Sequence, residues 1–314
     1  MFGTYRFILA SLVALSHFGV QHAGFNPGQW AVVSFYTLSG LLMERQCGKL
    51  GNGGFYLDRL LRIYPLYLAV LLLAACENHP SWIETAANIS LLPLNYSFFT
   101  GITILIGPAW SLACEAHFYL LVPLLVLCST KMLRVILLSS LSLFAMSPFL
   151  PCSTFLAYTG LPGILFTFAS GMLINRRDFF FLKIIWSAML VLLAAFAGGK
   201  LFHSGLPTGI HINVCLGYLA AIVIISRLDR FPRGAGWDNV LGMFSYPLFL
   251  CHGVVAAFVQ NHFSVSNPLL LLAASVCFSA ILILTVEIPF DRVRYGLRKN
   301  FKSPSQKSTA SASA

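Results

Sequence analysis

Apolar residues in this chain neither alternate nor keep to one stripe of a helix. They run together, as in Leu66–Ala75 and Leu269–Val286. A segment that is apolar on every face has no polar side to turn to water, so it needs lipid or protein all around it. About 17–25 mostly apolar residues cross a bilayer as a helix. On that basis the pattern predicts ten transmembrane helices, near 5–22, 29–45, 60–76, 109–128, 133–150, 158–174, 181–198, 210–226, 239–260 and 269–289. The stretch 86–106 is only moderately apolar and holds Pro93, Asn95 and Gly101, so it reads as an external or re-entrant loop. Tyr5–Phe18 lacks a small-residue cleavage site after it and reads as a retained first helix. The expected fold class is therefore all-α, a single bundle of about ten helices in one integral membrane domain.

Composition agrees, with 58% hydrophobic and 10% charged residues, where soluble domains carry about 25% charged. The formal charge of +10 does not imply nucleic acid, because excess Lys and Arg in a membrane protein collects in cytoplasmic loops and sets orientation. With the N-terminus inside, every Lys and Arg except Lys200 falls on the cytoplasmic side. An eleventh span at 86–106 would invert everything after it. Both termini are thus expected in the cytoplasm. The eight cysteines form no CxxC pair. Cys114, Cys128, Cys215, Cys251 and Cys277 lie in apolar runs and read as small buried hydrophobes rather than disulfides or metal ligands. Residues 1–296 make the transmembrane domain, and 297–314 a basic, Ser/Ala-rich disordered tail.

Ionisable side chains inside a bilayer are costly, which makes each one a functional candidate. His17 lies about twelve residues into the first helix, roughly 18 Å from its cytoplasmic end. Glu115 lies in the outer half of the fourth helix, at comparable depth. The two can form a base and its orienting carboxylate, or a structural hydrogen bond between helices. Arg59 and Arg62 stand three apart in FYLDRLLRIYP and share a helix face. Paired guanidiniums suit phosphate, and arginines at helix ends also serve as topological anchors. Glu287, in VEIPF, is read as an ion-pair partner for one of them or for Arg292. His252 lies toward the outer half of the ninth helix, and His117 faces away from Glu115. His22, His79, His203, His211 and His262 fall in or near external loops, without ligand spacing. There is no HExxH, GxSxG or phosphate-cradling glycine loop, and no metal site is expected.

Six segments, in order, resemble motifs of the acyltransferase-3 family of membrane O-acyltransferases, which modify bacterial surface glycans. They are YRFILASLVALSHF (5–18), SFYTLSGLLMER (34–45), FYLDRLLRIYPLYL (55–68), WSLACEAHFYLLVPLL (110–125), YPLFLCHGVV (246–255) and VEIPF (286–290). Tyr36 replaces the usual Phe, and Ala116 and His117 replace a frequent acidic residue and Gln. The periplasmic esterase-like domain of some members is missing, which leaves room for a periplasmic partner.

The resemblance implies a ten-helix bundle in a bacterial inner membrane. It implies an acyl group, usually acetyl, taken from cytoplasmic acyl-coenzyme A and delivered to a glycan or lipid-linked saccharide at the outer face. On that reading Arg59 and Arg62, helped by Arg6, hold the coenzyme A phosphates. His17 acts as general base, or carries the acyl group itself, and Glu115 holds its tautomer. The competing reading is a proton-coupled transporter or flippase, since intramembrane His and Glu also relay protons. The internal repeats common in transporters are not visible in the chain.

Overall fold

The computed structural model describes residues 1–22, 24–202, 208–231 and 236–298. Every regular element within them is helical, as hydrocarbon demands of a backbone that must satisfy its own polar groups. In chain order these are α1 (Phe2–His17), α2 (Pro27–Asn78), α3 (Trp82–Ser90), α4 (Ser97–Thr100), α5 (Ala109–Leu127) and α6 (Thr130–Met146). They are followed by α7 (Leu161–Asn175), α8 (Phe179–Leu201), α9 (Gly209–Leu228), α10 (Gly236–Phe263), α11 (Pro268–Leu282) and α12 (Ile288–Arg298). A π-helical turn, Ile283–Glu287, joins the last two. Among the described residues eight helical stretches are long and apolar enough to cross a membrane. Their outward faces are apolar: Leu72, Leu124, Leu127, Val191, Leu269 and Leu284 are each at least 64% exposed. Contiguous apolar surface of this kind belongs against lipid.

α2 has 52 residues and, if straight, would be about 78 Å long, more than twice the hydrocarbon thickness. It reverses instead at Gly51, whose φ of 67° and ψ of 174° suit only glycine. Gln46 donates across the break to Asp58, a pair that a straight helix would hold about 18 Å apart. The two arms of α2 are the expected second and third helices. Residues 46–50 and 52–59 are helical, not the loop the hydropathy pattern suggested.

The 86–106 stretch contains no helix long enough to cross. It is folded down onto the bundle, with Leu91, Leu94 and Ile106 buried. Asn88 donates to Thr103 O, and Asn95 to Thr159 O. Ser81 caps α3 in a reciprocal box with Glu84. Thr103 first, and then Ser81, hold the Glu84 carboxyl below the usual carboxylate range.

Ion pairs gather one end of the bundle. The N-terminal amine meets Asp238 at 2.8 Å, Arg45 meets Asp229 at 2.7 Å, Arg134 meets Asp178 at 2.7 Å and Arg176 meets Glu44 at 2.6 Å. Arg62 bonds Glu287, and Arg298 bonds Asp58. The start of α1 and the end of α12 therefore share an end. Arg233, Lys299, Lys302 and Lys307, which the charge map also placed there, lie outside the described residues. Lys200 Nζ instead approaches Gly24, in the turn that follows α1 at the other end.

Helices α1 and α10 run side by side in the same direction, joined at Met1–Asp238, Phe7–Phe244 and His17–His252. Their close approach needs Gly3, where a Cβ would lie 1.7 Å from Asp238 O. Parallel helices have an odd number of crossings between them. An extra crossing at 86–106 would have made this pair antiparallel.

Two further expectations are corrected. Leu297 and Arg298, placed in the tail, belong to α12; residues 299–314 lie outside the described residues. His211 lies near a loop, as expected, in the first turn of α9, where it is buried between the rings of Phe144 and Phe196 and bonded at 2.6 Å to Ser147. Cys277, read as buried, is exposed on the outer face of α11, where apolar side chains meet lipid. His203 lies outside the described residues.

Candidate active site

The ion-paired end opens into a basin of about 1110 Å³, which narrows into an inner cavity of about 140 Å³. Arg6, Leu42, Met43, Arg59 and Arg62 line both and form the neck between them. Seven basic and three acidic side chains line the basin, so its field is positive. Each neck arginine follows from local sequence. Arg6 sits on the second turn of α1, and its Nε reaches the Phe2 carbonyl at 3.4 Å. Among the described residues it has no carboxylate within ion-pair distance. Arg59 and Arg62 lie three apart beyond the Gly51 reversal, so one face of the second arm carries both. Arg59 bonds Asp58, and its buried Nε has no partner among the described residues. Arg62 bonds Glu287, which the π-helical turn before α12 swings beneath it, and lies 3.7 Å from Asp291. The expected Glu287 ion pair is present.

The inner cavity reaches from these arginines to Ser111, Glu115, Tyr119 and Phe249. Glu115 faces it and accepts a 2.5 Å hydrogen bond from Tyr119, one turn on along α5. His117 turns away and bonds the Ala113 carbonyl.

His17 ends α1 and is exposed at the end of the bundle away from the basin. Its hydrogen bond does not go to Glu115, as the depth argument suggested. Nδ1 of His17 lies 2.7 Å from Nε2 of His252, which is fully buried in α10. Depth places a residue along the membrane normal but does not choose its lateral neighbour; α1 packs along α10, and Glu115 is on α5. His252 is the site residue that reasoning from sequence missed as a partner. Its depth matched that of His17, but nothing in the chain revealed that α1 and α10 are adjacent.

The hydrogen bonds determine the tautomers. Nδ1 of His252 is 3.0 Å from the Leu248 carbonyl, which can only accept, so that nitrogen carries the hydrogen. In the neutral ring Nε2 of His252 is then an acceptor, and Nδ1 of His17 must be the donor. The remaining nitrogen of His17, Nε2, keeps its lone pair. The arrangement presents a base at the end of an oriented two-imidazole chain. Phe249, one turn before His252 on α10, lines the inner cavity and packs edge-on against Phe35 at 5.9 Å. Along α1, Arg6 and His17 are eleven residues apart, about 16 Å.

A family model described as an acyltransferase domain matches residues 4–287, from the first turn of α1 to Glu287. A protein of Aquifex aeolicus (strain VF5), described as uncharacterized, is 27% identical over 208 residues, covering 62% of this chain and 91% of its own length. No solved structure matches the chain. With nearly its whole length matched and its apolar helices bundled around a basic basin, the chain belongs to the acyltransferase-3 family and is a membrane acyltransferase.

Proposed function

We propose that the protein transfers an acyl group, acetyl by family habit, from cytoplasmic acyl-coenzyme A to a sugar hydroxyl at the outer face of a bacterial inner membrane. The acceptor is a surface or lipid-linked glycan. The observation that carries this reading is the basic basin that narrows through a three-arginine neck into a cavity walled by Glu115, Tyr119 and Phe249, with the His17–His252 pair at the other end of α1. The two arms of α2 and the shorter α1 raise the eight stretches to ten crossings. The positive-inside rule puts the basin end, with both termini, in the cytoplasm.

Coenzyme A fits the residues present. It is a polyanion, the basin is positive, and Arg59 Nε is a buried donor without a partner among the described residues. Its phosphates sit at Arg6, Arg59 and Arg62. Its thin pantetheine arm, comparable in length to the distance between Arg6 and His17 along α1, passes into the inner cavity. There Glu115 balances Arg6 and Arg59 and can accept an amide N–H of the arm. Nε2 of His17 takes the acceptor hydroxyl proton as the oxygen attacks the thioester carbonyl. The C–S bond then breaks, and the imidazolium returns its proton to the departing thiolate. The products are the ester and free coenzyme A. His252 keeps Nε2 of His17 unprotonated between turnovers.

Sealed inside-out vesicles with glycan inside and labelled acetyl-coenzyme A outside test the whole reading. Label should appear on internal glycan, with one free coenzyme A released outside for each acyl transferred. Glycan movement without acyl transfer would replace this reading with the transporter. The histidine chain has its own test. His252→Gln retains an acceptor for Nδ1 of His17 and should keep kcat within about tenfold, whereas His252→Phe should lose on the order of 10²-fold in kcat with KM for the donor unchanged. Equal losses in both variants would remove the tautomer role.

A further inference from the structure

α12 lies beyond the family-matched segment, which ends at Glu287. Its Arg294 has a side chain only 7% exposed, yet it lines the basin and not the inner cavity. One nitrogen, Nη2, donates to Asp291 at 3.0 Å. The other two, Nε and Nη1, are buried with no hydrogen-bond partner among the described residues. Asp58 is the nearest other carboxylate, 3.7 Å from Nε, beyond hydrogen-bond reach. Asp58 is already engaged by Gln46, Arg59 and Arg298. Arg59, which bonds the same Asp58, also has an Nε without a hydrogen-bond partner among the described residues. Unpartnered guanidinium donors buried in one basin wall are costly without an acceptor. Three such donors on two arginines match the several oxygens of a phosphate group.

We infer that Arg294, with Arg59, forms a phosphate-binding site for the ribose phosphate monoester of the nucleotide donor, the 3′-phosphate of coenzyme A. The neck arginines Arg6 and Arg62 meet the phosphates next to the acyl-bearing arm, while Arg59, which shares Asp58 with Arg294, turns to the ribose phosphate. Arg294 is set back in the basin, where the end of the donor farthest from its thioester comes to rest. The site therefore decides which nucleotide thioesters are accepted. This inference rests on coenzyme A being the donor.

The test is calorimetry on the full chain in lipid nanodiscs, with coenzyme A and 3′-dephospho-coenzyme A as probes. The wild type should bind coenzyme A about tenfold or more tighter than the dephospho form. Arg294→Gln should lose about tenfold for coenzyme A, leave the dephospho form unchanged, and so abolish the discrimination. Arg294→Lys should restore part of it. Equal weakening of both probes, or no weakening of either, would overturn the site. If Arg294→Gln fails to fold, the wild-type comparison still decides, because equal affinities for the two probes overturn the inference. Binding of neither probe to the folded wild type refutes the donor reading itself, an outcome distinct from failure of Arg294 alone.

Discussion

His17→Ala should abolish glycan acylation while leaving the protein at its normal level in the membrane. General-base catalysis contributes typically 10² to 10⁴-fold, and in the proposed chemistry no other group stands ready to take the acceptor proton. The fold should tolerate the change, because His17 is exposed at the last turn of α1 and, among the described residues, its side chain hydrogen-bonds to His252 alone. Acylated glycan quantified by mass spectrometry, beside immunoblots of membrane fractions, measures both quantities. Near-normal acylation by this variant would sink the assignment of the base.

The second large effect is on stability. Glu287 is 5% and Arg62 18% exposed as side chains, and they are joined in an ion pair. Removing one partner of a buried pair leaves the other charge uncompensated, at about 3–5 kcal/mol. Glu287→Ala should therefore lower the thermal midpoint in detergent by many degrees, softened only by Asp291 at 3.7 Å. An apolar replacement of the whole pair is often neutral, so Arg62→Met with Glu287→Leu should recover most of the midpoint. The double variant also separates the two readings of Arg62. Weakened acyl-coenzyme A binding in a stable protein supports a donor contact. Wild-type binding there would make Arg62 an anchor only.

The Gly51 reversal shows how far a sequence reading extends. Four glycines in seven residues, Gly48 to Gly54, argue for a loop, since each costs a helix about 1 kcal/mol relative to alanine. The helix continues on both sides because packing outweighs propensity: Cys47 and Phe55 are buried, and Asp58 ties Gln46, Arg59 and Arg298 together. The role of 86–106 was legible for the opposite reason. Pro93 and Gly101 break any helix long enough to cross, and no distant contact can restore one.

Arg59 and Arg62 were legible as a pair, because i and i+3 share a helix face whatever surrounds them. The Glu287 partner was legible as one of a few candidates, since unlike charges at one end of a bundle must find each other. The partner of His17 was not. Hydropathy and charge order the chain along the membrane normal, because lipid and the positive-inside bias act along that axis alone. They carry no information about which helices touch within the membrane plane. Side-chain packing sets that, through the contact of α1 with α10 that Gly3 permits. The sequence by itself thus determined that this is a helical membrane protein and which end of it is basic. Only the tertiary structure decided that His17 belongs to His252, that Glu115 belongs to the cavity wall, and that Arg294 completes the basin. Those pairings depend on distances across the bundle, which no spacing along one helix encodes.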